Sequence, residues 1–586
     1  MRTVKKRILH VDLSTNEVTT SDFTAKGLLG LGGKALGVAL LERHLDPRID
    51  PLAPGNPVIF TSSPLAAYGF SGSNRLGAFT KSPLTGAFLE SYSGGTMART
   101  LCETEWDALV ITGAAASPVR VDVDSAGAQI RAADNLWGQD VFTADDSIRE
   151  DLERRSSTLV IGPAGETKVA FAAAMLEKYH ALGRGGLGAV LGSKRMKAMT
   201  VTSPGSKRNK GGEVFDQVRR KISKLATEDP VSDAYRRLGT PMMVAVLNEA
   251  GGFPTDYWSK GTAAHRDKLE AENYSDWAKV ENDTCPPCPI RCRRRLVFKD
   301  NQDEGRVVHG PEFETLYAFG GLCLVEHARD VVLLHEECNR LGMDTMSAGN
   351  VIALAAKAGE EGKIKDAPLL GDADGIMTAL GNIARRNGAT EDALAGGIRE
   401  AARFLGMESA AIHVKGMEPA GYDPRALKGM ALAYATSPRG ACHLRATFYK
   451  PELGGLTKDL STDGLADLFV DYEDRLFLHD CLVMCRFYRD FLPWEDLQVI
   501  VGELNGAPVT QEDLATLTQD LLTRIRRLNF AMGLSPDDDT LPSRFFDEAL
   551  DDKPCIDRQE FRATLRAYYL RRGWGETGDV LTGGSG

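Results

Sequence analysis

Two periods of hydrophobic residues divide the sequence into a β-rich part and a helical part. Up to about residue 200, short apolar runs stand between glycine, proline and serine residues, a pattern typical of strands. Beyond that point apolar residues recur every three to four positions, as on one face of a helix. The clearest strand-like runs cover residues 8–13, 58–60, 108–111, 119–123 and 158–161.

The change of period follows residues 203–212, whose Gly, Ser and Lys content predicts a linker. After it, Val214, Val218, Ile222 and Leu225 fall on one helical face. Residues 175–180, inside the β-rich part, also show a short helical pattern. We therefore predict an α+β fold, with a β-rich N-terminal domain followed by mainly helical domains. The other helical patterns cover residues 329–341, 351–358 and 513–528.

Composition and charge narrow the class of protein. The 586 residues carry a net charge of −11, from 70 basic and 81 acidic side chains, which argues against nucleic acid as a partner. No apolar run approaches the roughly 18 residues of a membrane helix, and the alternation in residues 8–13 does not fit a signal peptide. Ten cysteines in so long a chain predict no disulfide scaffold, so we expect a reducing cytoplasm. Residues 581–586 read as a flexible tail.

The strongest chemical signal is a group of three cysteines, Cys285, Cys288 and Cys292, stiffened by Pro286 and Pro287. Structural zinc prefers two separated ligand pairs, and the sequence has no second pair. Radical S-adenosylmethionine enzymes use the reverse spacing. An iron–sulfur cubane fits better, and it needs a fourth thiolate, often from far along the chain. The candidates for that fourth thiolate are Cys485 and, as its competitor, Cys481.

Two glycine-rich loops in the β-rich part, residues 91–95 and 183–188, predict a site for an anionic cofactor. Each has an arginine close in sequence, Arg75 for the first and Arg184 within the second. Glycines expose backbone N–H groups and a guanidinium offers a forked cation, so phosphate can bind there. The alternative for each loop alone is a tight turn. The second loop matches the dinucleotide fingerprint in letters, but it follows the helical-looking 175–180, so that signal is weak.

Residues 339–344 and 480–485 resemble each other, and each ends a helical pattern. Gly342 stands where a C-cap glycine belongs. The backbone groups at such helix ends are free to hydrogen-bond a flat heterocycle.

Together these motifs resemble the tungsten-containing aldehyde ferredoxin oxidoreductase family, over nearly the whole chain. The resemblance implies a β-rich bis-pterin domain over residues 1–208 and two mainly helical domains over 209–408 and 409–586. The two similar helix ends, 339–344 and 480–485, depart from the family pattern at four positions. Asn339 replaces an acid, Val483 replaces a glycine, and Met343 and Met484 replace leucines. The matching segments are residues 8–13, 81–86, 183–194, 285–292, 310–315, 338–349, 436–443 and 480–487.

The resemblance also implies the cofactors and their ligands. A [4Fe–4S] cluster is implied at Cys285, Cys288, Cys292 and Cys485, and a tungsten bis-molybdopterin with a magnesium ion bridging the pterin phosphates. The implied cofactor-binding residues are Arg75, Ser93, Gly94, Gly95, Arg184, Gly185, Leu187, Asn339, Gly342, Asp344, Asp480 and Met484.

The implied reaction is oxidation of an aldehyde to a carboxylic acid, with electrons passing through the cluster to ferredoxin or a ferredoxin-like subunit. Glu312 and His443 match the acid–base pair of the family, as general base and carbonyl hydrogen-bond donor, with Glu314 as a close rival of Glu312. Whether the protein forms a homo- or hetero-oligomer stays open.

Two alternative functions remain. If Cys323 is a thiolate ligand of the metal, the protein would be a low-potential reductase, such as an aromatic acyl-CoA reductase. The alternative interpretation of Cys323 is a small, buried apolar residue. The other alternative is an electron-transfer or scaffold subunit without a working metal site. Cys102, Cys338, Cys442 and Cys555 are interpreted as core or incidental thiols.

Overall fold

Two six-stranded sheets make up the N-terminal part of the chain. The structure, a computed structural model, describes residues 4–25, 30–152, 155–205, 209–299 and 303–580, so residues 206–208 of the predicted linker and the predicted tail lie outside it. The strands are β1 (Val4–Asp12), β2 (Glu17–Ala25), β3 (Val58–Ser62), β4 (Leu76–Lys81), β5 (Phe88–Ser93), β6 (Ala108–Thr112), β7 (Val119–Val123), β8 (Ala128–Ala132), β9 (Ser156–Ile161), β10 (Ala174–Leu176), β11 (His180–Leu182) and β12 (Met196–Thr202).

The first sheet has the strand order β2-β1-β6-β3-β4-β5 and the second β11-β10-β9-β12-β7-β8. Each contains one parallel pair, β1 with β6 and β7 with β12, among antiparallel ones. The two sheets share a core of inward-facing residues that include Leu9, Phe60 and Val121. Between the strands lie α1 (Gly33–His44), α2 (Met97–Glu103), α3 (Val141–Glu150), α4 (Pro163–Glu166) and α5 (Leu187–Ser193).

Four of the five predicted strand runs lie within strands of these sheets, and the fifth, 8–13, passes the end of β1 by one residue, which confirms that part of the prediction. The helix predicted over 175–180 is wrong. Those residues form a hairpin in which β10 pairs with β9 on one side and with β11 on the other. Glu177 and Lys178 make its turn with φ of 52° and 71°. The loop 183–188 therefore follows an antiparallel edge strand, not the parallel strand of a dinucleotide-binding unit.

The rest of the described chain is mainly helical, apart from a small antiparallel sheet that carries the cysteine motif, β13 (Ala278–Asp283), β14 (Arg293–Phe298) and β15 (Val307–His309). The helices are α6 (Glu213–Glu228), α7 (Pro230–Leu238), α8 (Met243–Glu249), α9 (Phe313–Thr315), α10 (Ala328–Leu341), α11 (Thr345–Glu360), α12 (Ala373–Arg385), α13 (Ala389–Ala395), α14 (Ile398–Leu405), α15 (Lys428–Thr436), α16 (Tyr449–Leu453), α17 (Thr462–Cys481), α18 (Trp494–Asn505), α19 (Gln511–Ala531), α20 (Ser543–Asp547) and α21 (Arg558–Arg571).

The long helical patterns 329–341, 351–358 and 513–528 lie in α10, α11 and α19, as predicted. Local signals explain several helix starts. Thr510 and Asp513 form a capping box before α19, and Asp229 caps α7 ahead of Pro230. The α+β class with a β-rich N-terminal domain and helical domains is confirmed, while the boundaries at 208 and 408 stay predictions. No described helix is long and apolar enough to span a membrane.

Two helix ends bring the helical part against the sheets. The carbonyl end of α17 meets the start of α1, where a Cβ on Gly33 would lie 2.4 Å from the Asp480 carbonyl oxygen. The carbonyl end of α10 meets Gly162 ahead of α4, where a Cβ would lie 2.3 Å from the Leu341 carbonyl oxygen. Glycine at both points permits contact that no other residue allows. The two turns predicted to bind pterins are thereby held against the N-terminal domain.

Candidate active site

A cavity of about 430 Å³ lies between the first sheet, the cysteine loop and the helical part. Its lining brings together most of the residues predicted from the sequence, although they come from all parts of the chain. Gly95, Gly185, Leu187 and Gly342 lie outside this lining. The predicted residues in the lining are Arg75, Ser93, Gly94, Arg184, Cys285, Cys288, Cys292, Glu312, Asn339, Asp344, His443, Asp480, Met484 and Cys485.

The first glycine loop makes room for the cysteine loop. A Cβ on Gly94 would lie 2.6 Å from Cys285 Sγ, and Gly95 has a φ of 102°. The second loop turns because Gly185 and Gly186 both have positive φ, and Ser82 Oγ donates to the Gly185 carbonyl at 2.7 Å. Glycine is thus required in both loops by close approach or by backbone conformation.

Cys485, and not Cys481, joins the three clustered cysteines. The Cys485 amide donates to the Gly72 carbonyl at 2.8 Å, and the Asn74 side chain donates to the Pro286 carbonyl at 2.8 Å, so one segment fixes both cysteine loops. Burial, then Glu312 and then the neighbouring thiols, Cys485 first among them, raise the pKa of Cys292. Cys481 is buried on the far side of the turn, beside Lys34.

A bound metal deprotonates a coordinating thiol, so the raised pKa values of Cys285, Cys288 and Cys292 do not prevent these residues from acting as ligands. Among the described residues, no three Cys, His, Asp or Glu side chains converge as ligands of a single ion.

The two turns at the ends of α10 and α17 have the same backbone shape. Gly342 has a φ of 73° and Val483 a φ of 48°, both left-handed. The Met343 amide donates to the Cys338 carbonyl oxygen, and the Met484 amide donates to the His479 carbonyl oxygen, each at 2.8 Å. The replacement of glycine by Val483 therefore leaves the second turn intact.

Gly342→Ala is expected to destabilise the protein more than Gly406→Ala. Both glycines end a helix in the left-handed conformation, which costs an alanine about 1–2 kcal/mol. A Cβ on Gly342 would also lie 2.7 Å from the Gly162 nitrogen, whereas a Cβ on Gly406 meets nothing within 4 Å. Chemical denaturation of both variants measures the difference. Equal losses of unfolding free energy in the two variants would show that the backbone at Gly162 moves away from the added methyl group at little cost.

Arg184 is held by two carboxylates and is not an open fork for phosphate. Its Nε donates to Asp344 Oδ2 at 3.0 Å, its Nη1 to the Glu418 carbonyl at 2.7 Å and its Nη2 to Glu418 Oε2 at 2.8 Å. Asp344 also caps α11. Arg184 thus ties the second glycine loop to both helical segments, a role that differs from the predicted phosphate clamp.

A second buried network surrounds Asp480 in the other turn. Arg445 Nη1 contacts Asp480 Oδ2 at 2.5 Å and Glu90 Oε1 at 3.0 Å, and Arg486 Nη2 donates to Asp480 Oδ1 at 2.7 Å. The first turn differs, because Asn339 pairs there with the neutral His335, whose pKa is lowered to about 4 by burial and by Arg293. The loss of charge at Asn339 is therefore matched by an uncharged neighbour.

Several buried polar atoms around the cavity lack a partner among the described residues: Ser93 Oγ, Arg439 Nε, Arg445 Nε and Glu418 Oε1. Such atoms are costly to bury unless a ligand completes their hydrogen bonds. Three of them can donate a hydrogen bond, and two belong to cations. The lining therefore fits a polar, anionic ligand, as a pterin phosphate is.

His443 pairs with Glu314 and not with Glu312. Its Nε2 lies 3.2 Å from Glu314 Oε1, and Glu314 Oε2 accepts from the Gly421 amide at 3.1 Å. Burial raises the pKa of Glu314 to about 8. Burial and the charges of Arg439, Arg184 and Arg445 hold the pKa of His443 well below its usual range.

Glu312 lies at the N-cap of α9 and accepts a hydrogen bond from Thr240 Oγ1 at 2.5 Å. It faces the cysteine side of the cavity. Its carboxylate is the second cause, after burial, of the raised pKa of Cys292. A π-helix over Leu316–Leu322 follows α9 directly. Such wide turns occur frequently at functional sites. The backbone here sends Glu312 and Glu314 to different parts of the cavity.

Cys323 and Cys442 are both buried thiols outside the cavity lining. Cys323 ends the π-helix, is fully buried and donates to the Gly349 carbonyl at 3.3 Å, outside the cavity lining, which does not suit a metal ligand. Cys442 accepts from Arg439 Nη2 at 3.0 Å. Burial alone would raise its pKa, yet Arg439 and Arg445 lower it to about 7.

Sequence reasoning also missed the aromatic wall of the site. Tyr422 stacks on His443 with ring centroids 5.3 Å apart and on Tyr449 at 4.1 Å. Isolated tyrosines carry no sequence signal for such a role. For Arg439 and Arg445, the signal available was their spacing of four and two residues around His443.

Comparison with known proteins identifies the family. The model of the aldehyde ferredoxin oxidoreductase N-terminal domain matches residues 8–203, and that of domains 2 and 3 matches residues 217–582. The chain is 31% identical to the tungsten-containing aldehyde ferredoxin oxidoreductase of Pyrococcus furiosus and 31% identical to that of Thermococcus kodakarensis, in each case over 98% of the chain and 97% of the relative.

A solved structure, the active site complex BamBC of benzoyl coenzyme A reductase with 1,5-dienoyl-CoA, has the same fold, with a TM-score of 0.81 and 20% identity over 98% of this chain and 96% of that chain. The two family models together span the β-rich and the helical parts, and the match to each of the two relatives spans both parts. The chain is therefore an oxidoreductase and belongs to the aldehyde ferredoxin oxidoreductase family.

Proposed function

We propose that the protein oxidises aldehydes to carboxylic acids at a tungsten bis-molybdopterin in this cavity. The observation that carries the proposal is the Glu314–His443 pair, half-buried in a cavity that four cysteines also line. An acid–base pair and a group of thiols in one cavity suit a reaction that releases both protons and electrons. The tungsten-containing relatives support the choice of metal.

The residues around the cavity fit the proposed cofactor. The turns at Asn339 and Asp480 each offer helix-end backbone groups to a pterin, and Ser93, Arg439 and Arg445 have unpaired donors for its phosphates. A magnesium ion bridging the pterin phosphates would be chemically suitable there, because it accepts hard oxygen ligands. When bound, the tungsten and its dithiolenes supply the two-electron oxidant.

Glu314 and His443 are the proposed catalytic residues. Conversion of an aldehyde and water to a carboxylic acid releases two protons and two electrons. With the pKa of Glu314 near 8 and that of His443 well below 6.5, both side chains are neutral at pH 7. The shared proton then lies on Glu314, and His443 keeps an N–H on Nδ1 for the carbonyl oxygen. In its ionised form Glu314 takes the proton from water.

The rate of aldehyde oxidation is expected to rise with pH through an apparent pKa of about 8. The general base must be ionised, and a carboxyl with a raised pKa reaches that form only above its pKa. The measurement is kcat/KM for a neutral aldehyde between pH 6 and pH 9.5, with Glu314→Gln as the control that should lose this limb. A profile that falls over this range would contradict the role of Glu314 as base.

We further propose that Cys285, Cys288, Cys292 and Cys485 hold one [4Fe–4S] cluster that passes electrons singly to ferredoxin or a ferredoxin-like subunit in a reducing cytoplasm. The cysteine loop reaches the surface at Pro286, Pro287 and Arg291, all of which are exposed. A cluster held there lies within reach of an external electron acceptor, as transfer between proteins requires.

The second candidate is a low-potential reductase, which the fold of the benzoyl coenzyme A reductase complex favours. Against it stands Cys323, which lies outside the cavity lining and bonds to the Gly349 carbonyl. Cys442 adjoins His443 and has a pKa of about 7, but it is buried and also lies outside the cavity lining.

The test is metal and pterin analysis of anaerobically purified protein, followed by viologen reduction with simple aldehydes. Tungsten near one atom per chain, two pterins and aldehyde-dependent dye reduction are expected. Protein without tungsten, molybdenum or pterin would indicate a scaffold subunit. Tungsten-replete protein that is inert to aldehydes but reduces an acyl-CoA thioester would establish the second candidate.

A further inference from the structure

Arg489 is a buried cation in the cavity lining that no carboxylate neutralises at close range. It is 6% exposed, and its nearest described carboxylate, Asp490 Oδ2, lies 3.9 Å from Nε. Nη1 donates to the Arg486 carbonyl at 2.8 Å, while Nε has no hydrogen-bond partner among the described residues. Arg489 is therefore a buried cation whose ion pair with Asp490 is long and whose Nε makes no hydrogen bond to the described residues, and such a site favours an anionic occupant.

The neighbours of Arg489 leave its charge in place. Asp490 is exposed and already pairs with Lys450. The two other neighbours, Tyr235 and Tyr449, are phenols that raise the pKa of Arg489 against the effect of burial. Tyr235 in turn packs on Phe487 with ring centroids 4.2 Å apart. The guanidinium therefore lies in an aromatic setting with low dielectric, where its field is strong.

A chain of ring contacts connects Arg489 to the catalytic pair. His443 stacks with Tyr422, Tyr422 stacks with Tyr449 at an interplanar angle of 17°, and Tyr449 adjoins Arg489. All four side chains line the same cavity. On the cofactor side, Arg184, Arg445 and Arg486 are each paired with an acid, and Arg439 donates to the Glu90 carbonyl. Arg489 thus belongs to the side where a substrate reaches Glu314 and His443.

We propose that Arg489 binds a carboxylate at the far end of the substrate, so that this protein prefers aldehydes that carry an acid group over neutral aldehydes. This inference rests on the proposed aldehyde oxidation. The substrate would lie along the Tyr422–Tyr449 wall, with its aldehyde at His443 and its carboxylate at Arg489. The planar fork of arginine matches a carboxylate in two parallel hydrogen bonds, including the unused Nε.

The first experiment compares the holoenzyme on 4-oxobutanoate and on butanal, which differ by the terminal carboxylate. The ratio of kcat/KM for the acid to that for the neutral aldehyde should exceed one and should fall about 10- to 100-fold in Arg489→Gln, the range of a charged hydrogen bond. Arg489→Lys should retain part of the preference. Asp490→Asn should increase it, because the nearest competing carboxylate is removed.

The matched control is Arg558→Gln, which removes an exposed arginine that pairs with Asp547 on the surface. Its substrate ratio should equal that of the parent protein. An equal ratio in the parent and Arg489→Gln, or a preference for butanal, would overturn the inference while leaving aldehyde oxidation in place. A loss of tungsten or pterin in Arg489→Gln would overturn it too, since Arg489 would then serve the cofactor.

The second experiment measures binding without turnover. Calorimetric titration of the holoenzyme with succinate, the corresponding product, should give a signal that butyrate does not match and that Arg489→Gln weakens about 10-fold or more. Succinate binding that depends on Arg489, in a protein inert to every aldehyde, would remove the proposed function and keep the carboxylate site. No difference between succinate and butyrate would overturn the site.

Discussion

Glu314→Gln is expected to lower kcat for aldehyde oxidation by about two to four orders of magnitude, the range for loss of a positioned proton-transfer group. Glutamine keeps the size and one acceptor of the side chain but cannot take a proton. The tungsten and iron contents should stay unchanged, because Glu314 contacts His443 and the Gly421 amide and no cysteine. The measurement is aldehyde-dependent viologen reduction by metal-replete variants.

Glu312→Gln is the matched control, two residues away in the same cavity. Its side chain accepts from Thr240, which glutamine can also satisfy, so its effect should be much smaller. If Glu312→Gln is inactive and Glu314→Gln is fully active, the base is Glu312, and the pairing with His443 has another purpose.

His443 provides a second, coupled test of the pair. His443→Asn keeps a hydrogen-bond donor and should lose less activity than His443→Ala. The losses from Glu314→Gln and His443→Ala should combine less than additively in the double variant, because both groups act on one transition state. Strict additivity would show that the two residues act in separate steps.

Cys485→Ala is expected to abolish the iron–sulfur cluster, whereas Cys481→Ala should retain it. A cubane needs four thiolates, and Cys485 lies with the other three, while Cys481 is buried beside Lys34. Iron and acid-labile sulfide content and low-temperature EPR of the reduced proteins provide the measurement. Both replacements remove one thiol within five residues, which makes Cys481→Ala a close control.

Activity should follow the cluster. Cys485→Ala should lose dye reduction almost completely if all electrons leave through the cluster. A normal cluster signal in Cys485→Ala, or a lost one in Cys481→Ala, would reverse the assignment of the fourth ligand.

The strands and long helices could be predicted because their patterns are local. In β7, buried and partly exposed residues alternate from Val119 to Val123, and in α6 Val218 and Ile222 are buried. The error over 175–180 shows the limit of this reasoning. Those residues suit a helix by composition, but Met175 pairs with Val160 and Ala181 in a sheet, and distant pairing outweighs local propensity.

Side-chain direction was decided by the tertiary structure. Glu312 and Glu314 are two residues apart, and sequence cannot tell which meets His443. The N-cap at Glu312 and the π-helix after α9 decide it. Arg184 was predicted from a glycine loop, yet Asp344 and Glu418, which hold it, lie 160 and 234 residues away. Charge compensation over such distances has no sequence period.

By itself, the sequence determined the fold class, the cysteine group, the two similar helix ends and the family, because each depends on residue type and spacing along the chain. Only the tertiary structure decided that Glu314 faces His443, that Asp344 and Glu418 neutralise Arg184, and that Arg489 has no carboxylate at close range among the described residues. It also placed Cys485 rather than Cys481 beside the thiols of Cys285, Cys288 and Cys292. These outcomes depend on which groups from separate segments become neighbours when the helical part closes on the sheets. Burial then makes the free energy of each charge depend on those neighbours.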